Sequence, residues 1–143
     1  MTGAVRRSKA VTTWLAVAGG SLGLHRFYLR GAGDLWAWLH LPPTLVGAYG
    51  FWRMREYGTD DRLGSLLVPL LGAMVAATML WAIVCGLTPD DRWQASYGGR
   101  DPPTRSGWAT IAGVIVALAL GATVTMATIA FVAQRYFEWT APT

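Results

Sequence analysis

Four apolar segments, separated by short polar connections, run along the chain. They cover residues 10–24, 35–52, 63–87 and 108–133. The last two exceed the roughly 20 apolar residues that a helix needs to cross a bilayer. The first has about 15 residues at 1.5 Å each, short of a hydrocarbon core near 30 Å, so we expect its helix to extend from Arg7 to about Arg26. The pattern predicts an all-α, polytopic integral membrane protein with four transmembrane helices in a compact bundle.

The polar connections divide the chain into seven segments. They are a basic amino-terminal segment (1–9), a helical hairpin (10–52), a charged loop (53–62), a third transmembrane helix (63–87), a polar loop (88–107), a fourth transmembrane helix (108–133) and an interfacial tail (134–143). The fourth apolar segment carries Gly113, Ala117 and Gly121 at four-residue spacing. This spacing places small residues on one helix face, where they allow another backbone to approach closely.

The second apolar segment is interrupted by Pro42 and Pro43, which follow His40. A proline pair removes two backbone donors, so we expect a kink or break near Leu41. His40 then has two roles open to it. It can donate a hydrogen bond to a carbonyl that the kink frees, or it can join His25 in a proton-sensitive or metal-binding pair. The first role is preferred, because two histidines alone are too few for a metal site.

Composition supports a membrane protein. The chain of 143 residues is 53% hydrophobic and 14% charged, and its mean hydropathy is +0.35, whereas a soluble domain has roughly 25% charged residues. The net charge is +4. Basic residues flank the apolar segments, as they do where they set membrane topology. We therefore expect the lipid bilayer as a partner, and no nucleic acid.

Counting basic residues predicts an orientation. With four crossings, one side holds seven of them, in segments 1–9, 53–62 and 134–143, and the other holds five, in 26–30 and 88–107. Positive charge favours the cytoplasmic side. We expect both termini in the cytoplasm, the 88–107 loop outside, and the inner (cytoplasmic) membrane of a bacterium as the location.

The stretch RRSKAVTTWLAVAGGSLGLHRFYLRGAGDLWAW, residues 6–38, resembles the TM-two domain, a paired-helix module of many bacterial and animal membrane proteins. The matching residues are Ser8 and Lys9 at the start, the glycines Gly20 and Gly23, and the core His25, Arg26, Phe27, Tyr28 and Leu29. Arg30 replaces the usual glycine, and the acid often found late in the second helix is absent. The resemblance covers residues 7–52, about a third of the chain. It implies a helical hairpin and a membrane location, but no established activity.

The residues of this motif also have a direct interpretation. Gly19 and Gly23 form a G-x-x-x-G pair, next to Gly20, and permit close packing. Phe27 and Tyr28 suit the aromatic belt at a membrane surface. Arg26 and Arg30 can reach lipid phosphates, and Asp34 lies four residues after Arg30, where it can pair with it on a helix. The stretch 19–33 is therefore interpreted as a hairpin corner at the membrane surface.

The triplet Asp-Asp-Arg occurs twice, at 60–62 and 90–92. Catalytic carboxylates and metal binding are alternatives, but helix capping is preferred, with Thr59 or Asp60 capping the third transmembrane helix. Cys85 lies inside an apolar segment and is interpreted as a buried structural thiol.

Motifs of catalysis are absent: the sequence contains no G-x-S-x-G, H-E-x-x-H or Walker loop, and the four apolar segments contain no acid. We expect no enzymatic activity, no cofactor and no metal. The expected function is that of a non-catalytic integral membrane protein that packs with copies of itself or with another membrane protein. The alternatives are a channel or transporter that uses His25 and His40, and a lipid-acting enzyme.

Overall fold

The computed structural model describes residues 7–97 and 106–141, and every regular element in these two ranges is helical. The elements are α1 (Lys9–Gly19), a 3₁₀ turn (Gly20–Leu22), α2 (Leu24–Arg30), α3 (Leu35–Trp38), α4 (Leu41–Tyr57), α5 (Arg62–Leu87), α6 (Asp90–Tyr97) and α7 (Trp108–Thr140). The predicted all-α class is confirmed.

Two of the described helices, α5 and α7, are long and apolar enough to cross a membrane. They correspond to the third and fourth predicted spans. The first two predicted spans do not qualify: α1 has 11 residues, and α4 has 17 and ends in the polar sequence RMREY. A helix of 11 residues is only about 16 Å long. Of the four predicted transmembrane helices, therefore, only two in the described part of the chain have the length and composition needed to cross a membrane.

Several predicted segment boundaries also move. The charged loop 53–62 is shorter than expected, because α4 continues to Tyr57. The polar loop 88–107 contains α6. The last helix continues to Thr140, through most of the segment predicted as an interfacial tail. The predicted cap of the third transmembrane helix is off by a residue: the Asp61 carboxylate, not Thr59 or Asp60, accepts from the amide of Gly64.

The central helix is α5, against which α1, α4 and α7 all pack. Glycine residues lie where these helices approach it. A Cβ added at Gly20 would lie 2.7 Å from Cβ of Thr78, and one added at Gly121 would lie 2.8 Å from Cβ of Met79. Small residues at these positions allow close contact between helices that have few large buried side chains. The predicted small-residue face of α7 is confirmed as buried, and it packs within this chain.

The first predicted helix does not cross the bundle. α1 starts with Lys9 beside Thr88, at the carboxyl end of α5, and the following turn places Gly20 beside Thr78. The chain then reverses, and α2 returns to the same end, where Leu29 packs with Cys85 and Trp93. α1 and α2 thus form a re-entrant hairpin, residues 9–30, along the second half of α5. The expected helix from Arg7 to Arg26 is wrong, because Gly23 at φ +79° ends it.

The next helical segment is broken where the proline pair predicts. α3 ends at Trp38, and α4 begins at Leu41 with both prolines in its first turn, where a missing amide hydrogen costs nothing. Glycines of α4 then contact α5 in antiparallel order. Gly47 lies against Leu71, and Gly50 against Leu67. α4 therefore runs antiparallel to α5, toward the amino end of that helix.

The last helix, α7, runs antiparallel to α5 over the whole length of that helix. Gly113 contacts Thr13 of α1, and Thr128 contacts Gly72 of α5. We call the end of the molecule with Lys9 and Asp90 the first end, and the end with Arg62 and Thr140 the second end. Lys9 and Thr140 therefore lie at opposite ends, and Asp90, in the predicted outer loop, lies beside Lys9. This arrangement differs from the four full-length helices that the sequence predicts, because α1 turns back instead of running along the whole of α5.

Candidate functional site: the His25–His40 cavity

The motif residues 25–28 lie on α2, a short helix whose position depends on Gly23. This glycine has φ +79°, a left-handed conformation that glycine adopts without steric cost. A Cβ added to Gly23 would lie 2.5 Å from the carbonyl oxygen of Ala37, so its bare backbone also lets α2 approach α3. Gly19, its predicted G-x-x-x-G partner, instead contacts Leu24 within the re-entrant hairpin. The motif is thus a helix at the base of the hairpin rather than a corner between two long helices.

Arg26 forms an ion pair with Asp34, with 2.9 Å between Nε and Oδ2. The other carboxylate oxygen of Asp34 accepts from the amide of Trp36 and caps α3. The side chains are 19% and 6% exposed, so the pair is largely shielded from water. The four-residue spacing predicts a pair of Asp34 with Arg30 instead, and this prediction is wrong. That pairing requires one continuous helix, and α2 ends at Arg30 before Gly31 at φ +82°.

The two aromatic residues of the motif contact protein rather than forming a free surface belt. Phe27 makes an edge-to-face contact with Trp38, with ring centroids 5.3 Å apart. The hydroxyl oxygen of Tyr28 accepts from the amide of Ser8, at 3.0 Å, and so binds the start of α1. Both side chains are half-buried. They fix α2 to α3 and α1, a role that their spacing in the sequence does not reveal.

His25 and His40 lie close together, with ring centroids 5.8 Å apart and nearly perpendicular planes. His40 Nδ1 lies 2.6 Å from the carbonyl oxygen of Trp36, in the turn before the proline pair. Because a carbonyl only accepts, this nitrogen carries the hydrogen and donates it. The expected hydrogen bond to a carbonyl freed by the break is confirmed. His25 is 2% exposed, and its Nδ1 has no hydrogen-bond partner among the described residues.

The two imidazoles border a cavity of about 200 Å³ between α2, the α3–α4 break and α5. We call it the His25–His40 cavity. Its lining consists of His25, Arg26, His40, Ala77, Thr78 and Trp81. The Thr78 hydroxyl donates to the carbonyl of Val75 and so has a partner within α5. The lining contains two imidazoles and a guanidinium, but no carboxylate.

This lining limits the chemistry of the cavity. Among residues 7–97 and 106–141, no three or more His, Cys, Asp or Glu side chains are grouped so that they can hold a metal ion. A pair of carboxylates, as general acid–base chemistry on a lipid or sugar requires, does not line the cavity either. The cavity instead offers hydrogen-bond donors next to a positive charge.

A second polar cluster lies at the first end. Lys9 Nζ donates to the carbonyl of Thr88 at 2.5 Å, to Asp90 at 2.9 Å and to Ser106 Oγ at 2.6 Å. Asp90 also accepts from the amide and the hydroxyl of Ser106. These bonds from Ser106 and the Lys9 ammonium lower the pKa of Asp90 to about 2. Asp90 therefore joins separate segments rather than capping a helix, and its pairing with a residue 81 positions away leaves no signal in the sequence.

This cluster brings a serine and a lysine within hydrogen-bond distance, as in nucleophile–base pairs. A lysine acts as a base only when its amine is neutral. Here Nζ donates to three acceptors, Thr88, Asp90 and Ser106, and so offers the serine no lone pair. The cluster is therefore a structural connection. Cys85, the predicted buried thiol, is confirmed as buried, with Leu29 and Trp93 around it.

The chain was compared with protein-family models, with curated proteins and with solved structures, and it matched none of them. The resemblance to the TM-two domain stays a prediction from residues 7–52.

Proposed function

We propose that this chain is an integral membrane protein with a non-catalytic role, working through association with copies of itself or with another membrane protein. One observation supports the membrane location. α5 and α7 are apolar over a spanning length, yet only 17% and 11% of their most apolar windows are buried inside the protein. A core helix of a soluble protein would bury that surface, because exposing it to water costs about 25 cal/mol per Å². A bilayer covers it without this cost.

We further propose three crossings. The broken helix α3–α4, α5 and α7 cross, and the re-entrant hairpin enters and leaves at the first end. Under this arrangement the first end has eight basic residues, three in 1–9, two in 24–34 and three in 88–107. The second end has four, three in 53–62 and one in 134–143. The positive-inside rule then favours a cytoplasmic first end. The location in a bacterial inner membrane is part of this proposal.

Cysteine labelling tests the crossings. In a Cys85→Ser background, single cysteines replace the exposed residues Ser8 and Ser96 at the first end and Thr59 and Thr140 at the second. A membrane-impermeant maleimide is applied to right-side-out vesicles before and after permeabilisation. We expect Thr59→Cys and Thr140→Cys to react at once, and the other two only after permeabilisation. Labelling of Ser8→Cys together with Thr140→Cys would favour an even number of crossings. Release of the protein by alkaline carbonate would contradict the membrane location.

Self-association within the membrane is tested on the outer face of α7. The small-residue face of this helix is already used within the chain, whereas its opposite side carries the exposed residues Ile115, Leu118, Met126 and Ile129. In the same background, Ile129→Cys is compared with Leu66→Cys, which is equally exposed on α5. We expect disulfide-linked dimers in membranes for the first variant and none for the second. If neither variant forms dimers, self-association is contradicted and the partner is another membrane protein. Cross-linking followed by co-purification would then identify it.

Transport is a second candidate function, favoured by one observation. The His25–His40 cavity lies where the helix α3–α4 is interrupted, and transporters commonly form their sites at discontinuous helices. Flux into liposomes tests it: the purified protein should carry ions or protons, and His40→Gln should abolish that flux. A lipid-acting enzyme has no comparable support, because no carboxylate lines the cavity.

A further inference from the structure

With Arg135 at the second end, His25 is one of two residues in the described part of the chain that bury a side-chain nitrogen without a hydrogen bond. It is 2% exposed, and its Nδ1 has no partner among the described residues. Leaving a buried polar atom without a hydrogen bond is costly, so such atoms are rare, and a bound group is one explanation for them. His25 also lines a cavity several times larger than the roughly 30 Å³ share of a single water. His25 thus borders a space large enough for a ligand, next to the Arg26 side chain.

Arg26 adds a positive charge and further donors to the same cavity. Only its Nε bonds to Asp34, and among the described residues its two Nη groups make no hydrogen bond. A guanidinium has five N–H donors in a planar fork, which fits the oxygens of a carboxylate or phosphate. Asp34 holds the side chain in place through Nε and leaves the fork available. Arg26 is therefore positioned to bind an anion.

The other lining residues favour the same class of ligand. Ala77 and Trp81 form an apolar wall, which excludes water and strengthens hydrogen bonds to a charged group. A metal cation would be repelled by Arg26 and would find no carboxylate in the lining. A purely apolar ligand would leave His25 without a partner. The set of groups matches an oxyanion with several acceptor oxygens.

We propose that the His25–His40 cavity binds a phosphate group, with Arg26 and His25 as its donors and His40 at its edge. The phosphate comes either from a phospholipid headgroup or from free phosphate. The site is defined by side chains alone, so only the lipid source depends on the proposed membrane location. A failure of phosphate binding would leave the labelling pattern of the three crossings unaffected.

The test measures thermal unfolding of the full chain, purified in detergent, by circular dichroism. The probes are sodium phosphate against sodium chloride at equal ionic strength, and a short-chain phosphatidylglycerol against a diacylglycerol with the same chains. We expect one of the two phosphate probes to raise the unfolding temperature in a saturable way, and its control to have no such effect. A response to both identifies free phosphate as sufficient, and a response to the lipid alone identifies the headgroup.

Three variants separate binding from structure. His25→Leu removes the unsatisfied nitrogen, so the ligand-free protein should unfold at the wild-type temperature or above, while the phosphate-dependent rise is lost. Arg26→Gln should weaken the apparent affinity at least tenfold. Arg30→Gln is the matched control: it removes the same charge from the same helix, but Arg30 does not line the cavity. It should respond like the wild type. The proposal is overturned if neither phosphate probe exceeds its control, or if His25→Leu responds as the wild type does.

Discussion

Lys9, the first residue of α1, binds Asp90, the first residue of α6, with 2.9 Å between Nζ and Oδ1. This ion pair joins the start of the chain to the connection between α5 and α7. It holds the re-entrant hairpin at the first end, together with the hydrogen bond from the Trp93 indole to the carbonyl of Arg7. The start of α1 and the start of α6 therefore lie at the same end of the molecule.

The contribution of Asp90 to stability should depend on pH. Its pKa in the folded protein is about 2, below the value near 3.9 of an unfolded chain, so its stabilising effect is complete above about pH 4 and lost as the pH falls through 2. We expect Asp90→Asn to destabilise by about 1 kcal/mol at pH 7, as is typical of a partly exposed pair, and by much less at pH 2, where Asp90 is half protonated. Unfolding temperatures at both pH values provide the measurement. Asp91→Asn is the control, and an equal difference at the two pH values would contradict the assignment.

Removing one partner of the Arg26–Asp34 pair should cost more than removing both. Arg26→Leu leaves the carboxylate of Asp34, only 6% exposed, without its counter-charge. We expect a clear loss of stability and low abundance in the membrane fraction. Arg26→Lys keeps the charge and should lose less, and the double variant Arg26→Leu/Asp34→Leu should recover part of the loss. Denaturant or thermal unfolding of the four proteins gives the coupling energy. Additive losses would show that the pair contributes nothing as a pair.

Replacing Gly121 should loosen the contact between α5 and α7. Even a Cβ at this position lies 2.8 Å from Cβ of Met79, so Gly121→Leu forces the helices apart. We expect a destabilisation of roughly 1–3 kcal/mol from overpacking, measured by thermal unfolding in detergent. Ala119→Leu adds a side chain of the same size on the exposed side of the same helix and should have little effect. Equal stability of the two variants would mean that this face does not pack in solution as it does here.

The left-handed glycine of the hairpin should not tolerate a side chain. Gly23→Ala introduces a Cβ 2.5 Å from the carbonyl oxygen of Ala37, in a backbone conformation that costs about 1–2 kcal/mol for an L-residue. We expect reduced abundance and an unfolding temperature lower by several degrees. Gly33→Ala has open space around its Cβ and serves as the control. If both variants matched the wild type, the close approach of α2 to α3 would be refuted.

The small-residue face of α7 and the break before α4 are examples of what pattern alone predicts well. Glycine and alanine at four-residue spacing lie on one side of any helix, and a proline pair interrupts a helix wherever it stands. Both signals are local, so residues 113–121 and Pro42–Pro43 were assigned correctly. The sequence offers the His25–His40 contact as an alternative, but it does not indicate the cavity beside the two rings, because Ala77, Thr78 and Trp81 lie far away in the sequence.

The sequence by itself determined the helical class, the two helices of spanning length and the position of the break at His40. These follow from hydrophobic content, from length and from backbone chemistry, which act over a few turns of helix. Only the tertiary structure decided that α1 turns back at Gly23, that Arg26 rather than Arg30 binds Asp34, and that Lys9 meets Asp90. Each of these depends on where a chain reversal places one helix against another. The partners in these two ion pairs are 8 and 81 positions apart, so they come into contact only after the helices have packed. A periodic pattern in the sequence cannot predict such contacts.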